Sequence, residues 1–241
     1  MLMMNQSTSK ILNYCDLGFI DYKLAWDLQK NVFDAVHKGE LHDTFFLLEH
    51  PNTYTLGKVA DENNLVCSVD YLKENNISVY NIDRGGDITY HGPGQIVGYA
   101  IIDLKNWKQD THAYLRNLEE VIIQTCSDYG LNAGRVKGLT GVWIENRKIC
   151  AMGIKVSRWI TMHGFAFNVN TDLSLFNGII PCGINDKEVT SLEKELNRKF
   201  EINEVKERIL SNFQNLFNYS EVKRTAREDF DKYLTAETAH T

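Results

Sequence analysis

The sequence is short of basic charge: 26 Lys and Arg stand against 32 Asp and Glu, giving a formal net charge of −6 and a pI near 5.7. Phosphate backbones are held by a basic surface, so general nucleic-acid binding is excluded. There is also no unbroken apolar run near the roughly 20 residues that a membrane helix needs. Residues 1–10 are polar and lack the apolar core of a secretory signal. A cytoplasmic address without membrane association is the expectation. The five cysteines, at 15, 67, 126, 150 and 182, are odd in number and contain no CxxC pair, which argues against a disulfide framework and for reduced thiols. No HExxH and no Cys/His cluster is present, so no metal site is expected. No GxGxxG opens a helix and no P-loop lysine follows the glycines, so nucleotide phosphate cradling has little support. With 3 prolines and no Pro/Gly/Ser-rich linker, repeat or low-complexity tract, the 241 residues suit a single domain (1–241) with a sizeable core.

What is present alternates between helical and extended patterning. Residues 21–37 (Ala25, Leu28, Val32, Val36), 111–129 (Leu115, Leu118, Ile122, Cys126, Tyr129) and 203–217 (Val205, Ile209, Phe213, Leu216) carry apolar positions at helical spacing, each an amphipathic helix with one buried stripe. Segments 45–49, 77–82, 96–104, 141–145, 149–156 and 162–169 are short and rich in branched and aromatic residues, which predicts strands. Thr190 followed by Glu193 fits a capping box. The short gaps between the central strands predict an antiparallel middle with helices on one side, an α+β domain. The residues beyond about 196, up to 235, read as helical cover, with a charged tail after Tyr219.

Charge is uneven. Residues 135–158 hold six basic side chains (Arg135, Lys137, Arg147, Lys148, Lys155, Arg158) and one acid, Glu145. This is either a solvated face or a patch that steers an anionic partner toward an otherwise acidic protein. The densest chemical signal is RGGDITYHGPGQ at 84–95: Arg84, Gly85, Gly86, Asp87, Ile88, Thr89, Tyr90 and His91, then Gly92, Pro93, Gly94 and Gln95. Four glycines allow backbone to approach a ligand closely. The interleaved guanidinium, carboxylate, hydroxyls and imidazole exceed what a plain turn requires.

This run resembles the signature of the lipoyl(octanoyl) transferases. Four further pieces agree in order and spacing: PNTYTLG at 51–57, GVW at 141–143 leading into Arg147-Lys148-Ile149, MHGFAFNV at 162–169, and IPCGI at 180–184 followed by VTSL at 189–192. The match spans about residues 45–195. The resemblance implies a fold shared with biotin and lipoate protein ligase catalytic domains, a mixed and mostly antiparallel sheet flanked by helices, with the acyl chain in a tunnel. It implies a covalent thioester on Cys182, and Lys148 as the residue that lowers the pKa of that cysteine. Substrate contacts carry over to Arg84 through His91, to Ala151, Met152 and Gly153, and to Gly164, Phe165 and Ala166. The implied partners are octanoyl-loaded acyl carrier protein as donor and, as acceptors, the lipoyl domains of 2-oxoacid dehydrogenases and of the glycine-cleavage H protein. No cofactor is implied, and a monomer is the simplest expectation.

The chemistry is consistent with that resemblance. A free thiol titrates near 8.5, so a nearby cation is needed to make it a nucleophile at neutral pH. Transfer from one thioester to another is close to isoenergetic and transfer to an amide runs downhill, so ATP is not required. Lys155 competes with Lys148 for the cationic role, and His91 and His163 either hold the substrate or orient loops. Cys15, Cys67, Cys126 and Cys150 read as small buried hydrophobes. The other readings are an ATP-dependent lipoate or biotin ligase, which would not need the cysteine, an amidotransferase between protein lysines, and a module that only binds lipoyl domains.

Overall fold

A computed structural model describes residues 10–180 and 188–234. In chain order the elements are β1 (Ile11–Phe19), α1 (Tyr22–Lys38), β2 (Thr44–Glu49), β3 (Thr53–Leu56), α2 (Val69–Glu74), β4 (Ser78–Asn81), β5 (Ile88–His91), β6 (Gln95–Ile101), α3 (Thr111–Asp128), β7 (Val142–Ile144), β8 (Arg147–Ser157), β9 (Ile160–Asn168), β10 (Glu188–Val189), α4 (Leu192–Leu196), α5 (Ile202–Leu216), β11 (Glu221–Arg224) and α6 (Asp231–Leu234). Among the described residues eight strands form one sheet, in the order β10-β8-β9-β6-β2-β1-β11 with β7 also on β8. The run β2-β6-β9-β8 is antiparallel, while β1 lies parallel to both β2 and β11 and β10 parallel to β8. A second sheet, β4-β3-β5, stands beside it. The sheet is mixed with an antiparallel middle, as the sequence predicts.

The helices, however, cover both faces of the main sheet rather than one. The reason is visible in β2, where Phe45, Phe46, Leu47 and Leu48 are all fully buried. A strand apolar at every position needs cover on both sides. Phe45 and Leu47 join a core with Leu118 and Ile122 of α3 and Ile209 and Phe213 of α5, and the Phe45 and Phe213 rings stack 4.1 Å apart. Phe46 and Leu48 join the opposite core with Leu28 and Val32 of α1. The caps fix where these helices start. Asp21 accepts from the backbone N–H of Lys23 and Leu24, and Asp110 from that of Ala113.

Two local expectations are corrected. The cap of α4 is Ser191, not Thr190; its side chain accepts from Lys194 N, while Thr190 Oγ1 donates to Glu195. The presumed helical cover beyond 196 contains a strand, since β11 pairs in parallel with β1. Beyond it Phe230 packs edge-on against Phe46, 4.9 Å between centroids. The β8–β9 hairpin turns through Arg158 and Trp159, both at positive φ (53° and 66°), a conformation that its sequence does not advertise.

Candidate active site

β8 and β9 pair Ala151 with Ala166 and Gly153 with Gly164. Side chains two apart on a strand share a face, so four of the smallest residues form one shelf on the sheet. The 84–86 turn lies over it: Gly85 N donates to Ile154 O at 3.0 Å. A Cβ at Gly153 would sit 2.8 Å from both Arg84 Cδ and Gly85 O, and one at Gly57 would sit 2.1 Å from Gly86 O. The space enclosed is a cavity of about 570 Å³, within the range of small-molecule sites. Its walls include Arg84 through Thr89, His91, Lys148, Ala151, Met152, Gly153, Gly164, Phe165 and Ala166. Three sequence-distant segments singled out in the chain therefore meet around one space.

Four polar groups of the 84–91 run, Arg84, Asp87, Tyr90 and His91, have traceable jobs. Arg84 is buried, and its Nη2 donates to Thr55 O (2.8 Å) and Thr55 Oγ1 (3.0 Å). The Asp87 carboxylate accepts from Ile88 N and from Asn64 Nδ2, which holds the loop to residues 62–64. Tyr90 does not line the cavity. It is fully buried in the core of the smaller sheet, edge-on to Tyr54 and Phe176, with its hydroxyl donating to Asn52. His91 does line it, with Nδ1 2.9 Å from Gln95 Oε1.

Lys148 lines the cavity at the end where β10 rejoins the sheet, paired with Val189 and with its Nζ 4.7 Å from the Trp143 ring centre. Cys182 lies outside the described residues. Lys155, the competing cation, is bonded to Asp83 at 2.5 Å and is not part of the cavity wall. The other four cysteines are free thiols, three of them buried. Burial pushes the thiols of Cys15 and Cys126 up to about 12 and that of Cys150 well above its ordinary value. They are inert by the same physics that makes a nucleophile need a cation.

The basic stretch is not an open cationic face. Arg135 is held by Glu119 and Glu120, Arg147 by Glu145 and Glu195, and Lys155 by Asp83. Opposite charges already sit on half of its cations, which favours the solvated face over the steering patch among the two readings that the sequence leaves open. Glu119 has a further use. Fully buried on α3, it accepts from Arg135 and from Gly141 N (3.1 Å), pinning both ends of a loop whose Gly138, Leu139 and Thr140 line the cavity.

His91 and His163 line the cavity, and His50 lies behind His91 with the two ring centres 5.7 Å apart. His50 bonds Ile20 O and the Tyr99 hydroxyl, both at 2.8 Å; burial lowers its pKa to about 4. Burial also takes His91 well below the usual imidazole value, assisted by His50 and Arg84. His163 is lowered by burial although Asp83, 2.8 Å from Nε2, opposes the shift. The three are neutral at pH 7. Other wall residues, Tyr22, Val97, Tyr99, Leu115, Leu139 and Asn168, were not expected at the site from the sequence, although Leu115 stands on a helical stripe and Asn168 in the 162–169 run. The period of two through Gln95, Val97 and Tyr99 is the signal that could have found the β6 members, since all three share a face.

The model of the lipoyl protein ligase A/B catalytic domain matches residues 21–214. An octanoyltransferase of Christiangramia forsetii is 54% identical, with 84% of this chain and 94% of the relative covered. One of Cytophaga hutchinsonii is 47% identical over 89% and 96%. Among solved structures, a lipoate-protein ligase A bound with ATP superposes with a TM-score of 0.77 at 15% identity, covering 94% and 93% of the two chains. P. falciparum LipL1 in complex with lipoate gives 0.69 at 13%, covering 93% and 70%. At those identities the two structures speak for the fold alone, while the sequence relatives speak for the family. The chain belongs to the lipoyl protein ligase A/B catalytic-domain family and, within it, to the octanoyltransferases.

Proposed function

We propose that this enzyme takes an octanoyl group from the thioester of an acyl carrier protein, holds it as a thioester on Cys182, and delivers it to the lysine amine of a lipoyl domain. The observation that carries the reading is the cavity. Its floor is cleared of side chains by Ala151, Gly153, Gly164 and Ala166, and an amine, Lys148, stands at the end where Val189 returns to the sheet. An alkyl chain buried there gains about 0.8 kcal/mol per methylene, roughly 5 kcal/mol for an octanoyl tail.

The electron and proton balance closes with two groups. An ammonium at Lys148 favours the thiolate of Cys182. The thiolate attacks the donor carbonyl, the carrier's thiolate leaves, and it takes the Lys148 proton. The neutral Lys148 amine then accepts the proton lost by the attacking substrate lysine as the amide bond forms and Cys182 leaves as thiolate. Both groups return to their starting state. Arg84 already spends its donors on Thr55 and Gly85, which suits it to holding the loop over the acyl chain.

Intact-mass measurement after incubation with octanoyl-carrier protein tests this. The enzyme should gain one octanoyl group that hydroxylamine removes, and Cys182→Ala should gain none. Lys148→Met should load at least about a hundredfold more slowly. Loading that requires ATP and free octanoate would turn the reading to a ligase. Loading from an octanoylated lipoyl domain but not from the carrier would turn it to an amidotransferase.

A further inference from the structure

We propose that Gln95 and Asn168 are positioning residues: they tie the 84–91 loop to the chain beside Lys148 through one hydrogen-bond chain of fixed direction. The inference rests on the octanoyl-transfer reading. The chain begins at Arg84, whose Nη2 donates to Thr55 Oγ1 (3.0 Å), and Thr55 Oγ1 lies 3.4 Å from His91 Nε2. His91 Nδ1 meets Gln95 Oε1 at 2.9 Å, Gln95 Nε2 donates to Asn168 Oδ1 at 2.9 Å, and Asn168 Nδ2 donates to Thr190 O at 3.0 Å. Thr190 N in turn donates to Lys148 O at 2.9 Å. Every side chain in the series is at most 8% exposed.

The direction follows from two backbone carbonyls, which can only accept. Gln95 Nε2 also donates to Tyr90 O at 3.0 Å, and Asn168 Nδ2 ends on Thr190 O, so neither amide can be turned round. Gln95 Oε1 is therefore an acceptor, and the proton of neutral His91 sits on Nδ1. His91 Nε2 is left as an acceptor, facing the hydroxyl proton that Thr55 has free once it accepts from Arg84. His91 then has no N–H to offer a substrate carbonyl. It is a link, and the loop that covers the acyl shelf is joined through it to the residue that holds the Lys148 backbone.

A chain of buried hydrogen bonds polarised in one sense is stiff and cooperative, and a break anywhere releases both ends. A misplacement of about 1 Å at a reacting group costs about a hundredfold in rate. Thr55→Val removes the hydroxyl at one end without changing shape, and Asn168→Ala breaks the other. Each should lower kcat for octanoyl transfer about ten- to a hundredfold with KM for the carrier substrate unchanged. The double variant should be no slower than the slower single one, and Thr55→Ser should restore turnover. Losses that multiply in the double variant, a Thr55→Val enzyme with normal kcat, or changes confined to melting temperature would overturn the proposal. If Asn168→Ala does not fold, the Thr55→Val and Thr55→Ser pair still decides. Nitrogen NMR of the wild-type imidazoles supplies a readout independent of activity: His91 should carry its proton on Nδ1, and an Nε2–H tautomer would sink the chain. A wild-type enzyme with the Nδ1–H tautomer but no octanoyl transfer would instead sink the function.

Discussion

Three buried neutral histidines, His50, His91 and His163, make the fold sensitive to acid. An unfolded imidazole takes its proton near pH 6.5, whereas His50 in the fold does so only at about 4. Between those values the unfolded chain binds a proton that the folded one refuses, so stability falls as pH falls through that window. The loss from His50 alone is about 3 kcal/mol. Asp83 acts in a different range. Its bonds to His163 and Lys155 hold its carboxyl below the usual carboxylate value, so its contribution is complete above about pH 4 and is lost only below it. Urea unfolding at pH 7 and pH 4.5 should show His50→Gln less stable than wild type at neutrality but losing less on acidification. Parallel losses in the two proteins would refute the assignment. At this scale the sequence exposed the residues that advertise themselves by local density, the 84–95 run above all. It hid Glu119, because a helical glutamate looks solvated until the partners that bury it, Arg135 and Gly141, are brought near by the fold.

The elements around the cavity work through what they omit. Gly153 has no room for a methyl group, because a Cβ would meet backbone at Gly85 O as well as the Arg84 side chain. Gly153→Ala should cost about 1–3 kcal/mol of stability and should lift the 84–86 turn off the shelf, with a loss of octanoyl loading of at least about tenfold. Gly134→Ala, where a Cβ meets nothing within 4 Å, is the control and should load normally. Calorimetry and the mass assay together check both. Long periodic helices and the β2, β6, β8 and β9 strands were legible because their apolar spacing is regular. β11, with the sequence EVKR, was not: an exposed edge strand has little apolar pattern to show. β3 and β5 are four residues each, too short for periodicity to separate them from the motifs they carry.

At the scale of the whole molecule the main sheet is covered on both faces, and the last described segment belongs to that cover. Phe230 is 2% exposed against α1 and β2, so Phe230→Ala should cost about 3–5 kcal/mol, seen as a lower urea midpoint with unaltered slope. A change below 1 kcal/mol would mean that the segment is dispensable. The placement of β1 has a temporal consequence. It is the first of the described strands to be made, yet one of its two neighbours, β11, follows it by more than two hundred residues. At bacterial and eukaryotic elongation rates that separation amounts to roughly 10–40 s of synthesis. A ribosome that stalls before Glu221 has already made every cavity residue but leaves β1 with a bare hydrogen-bonding edge, the feature through which strands recruit the wrong partner.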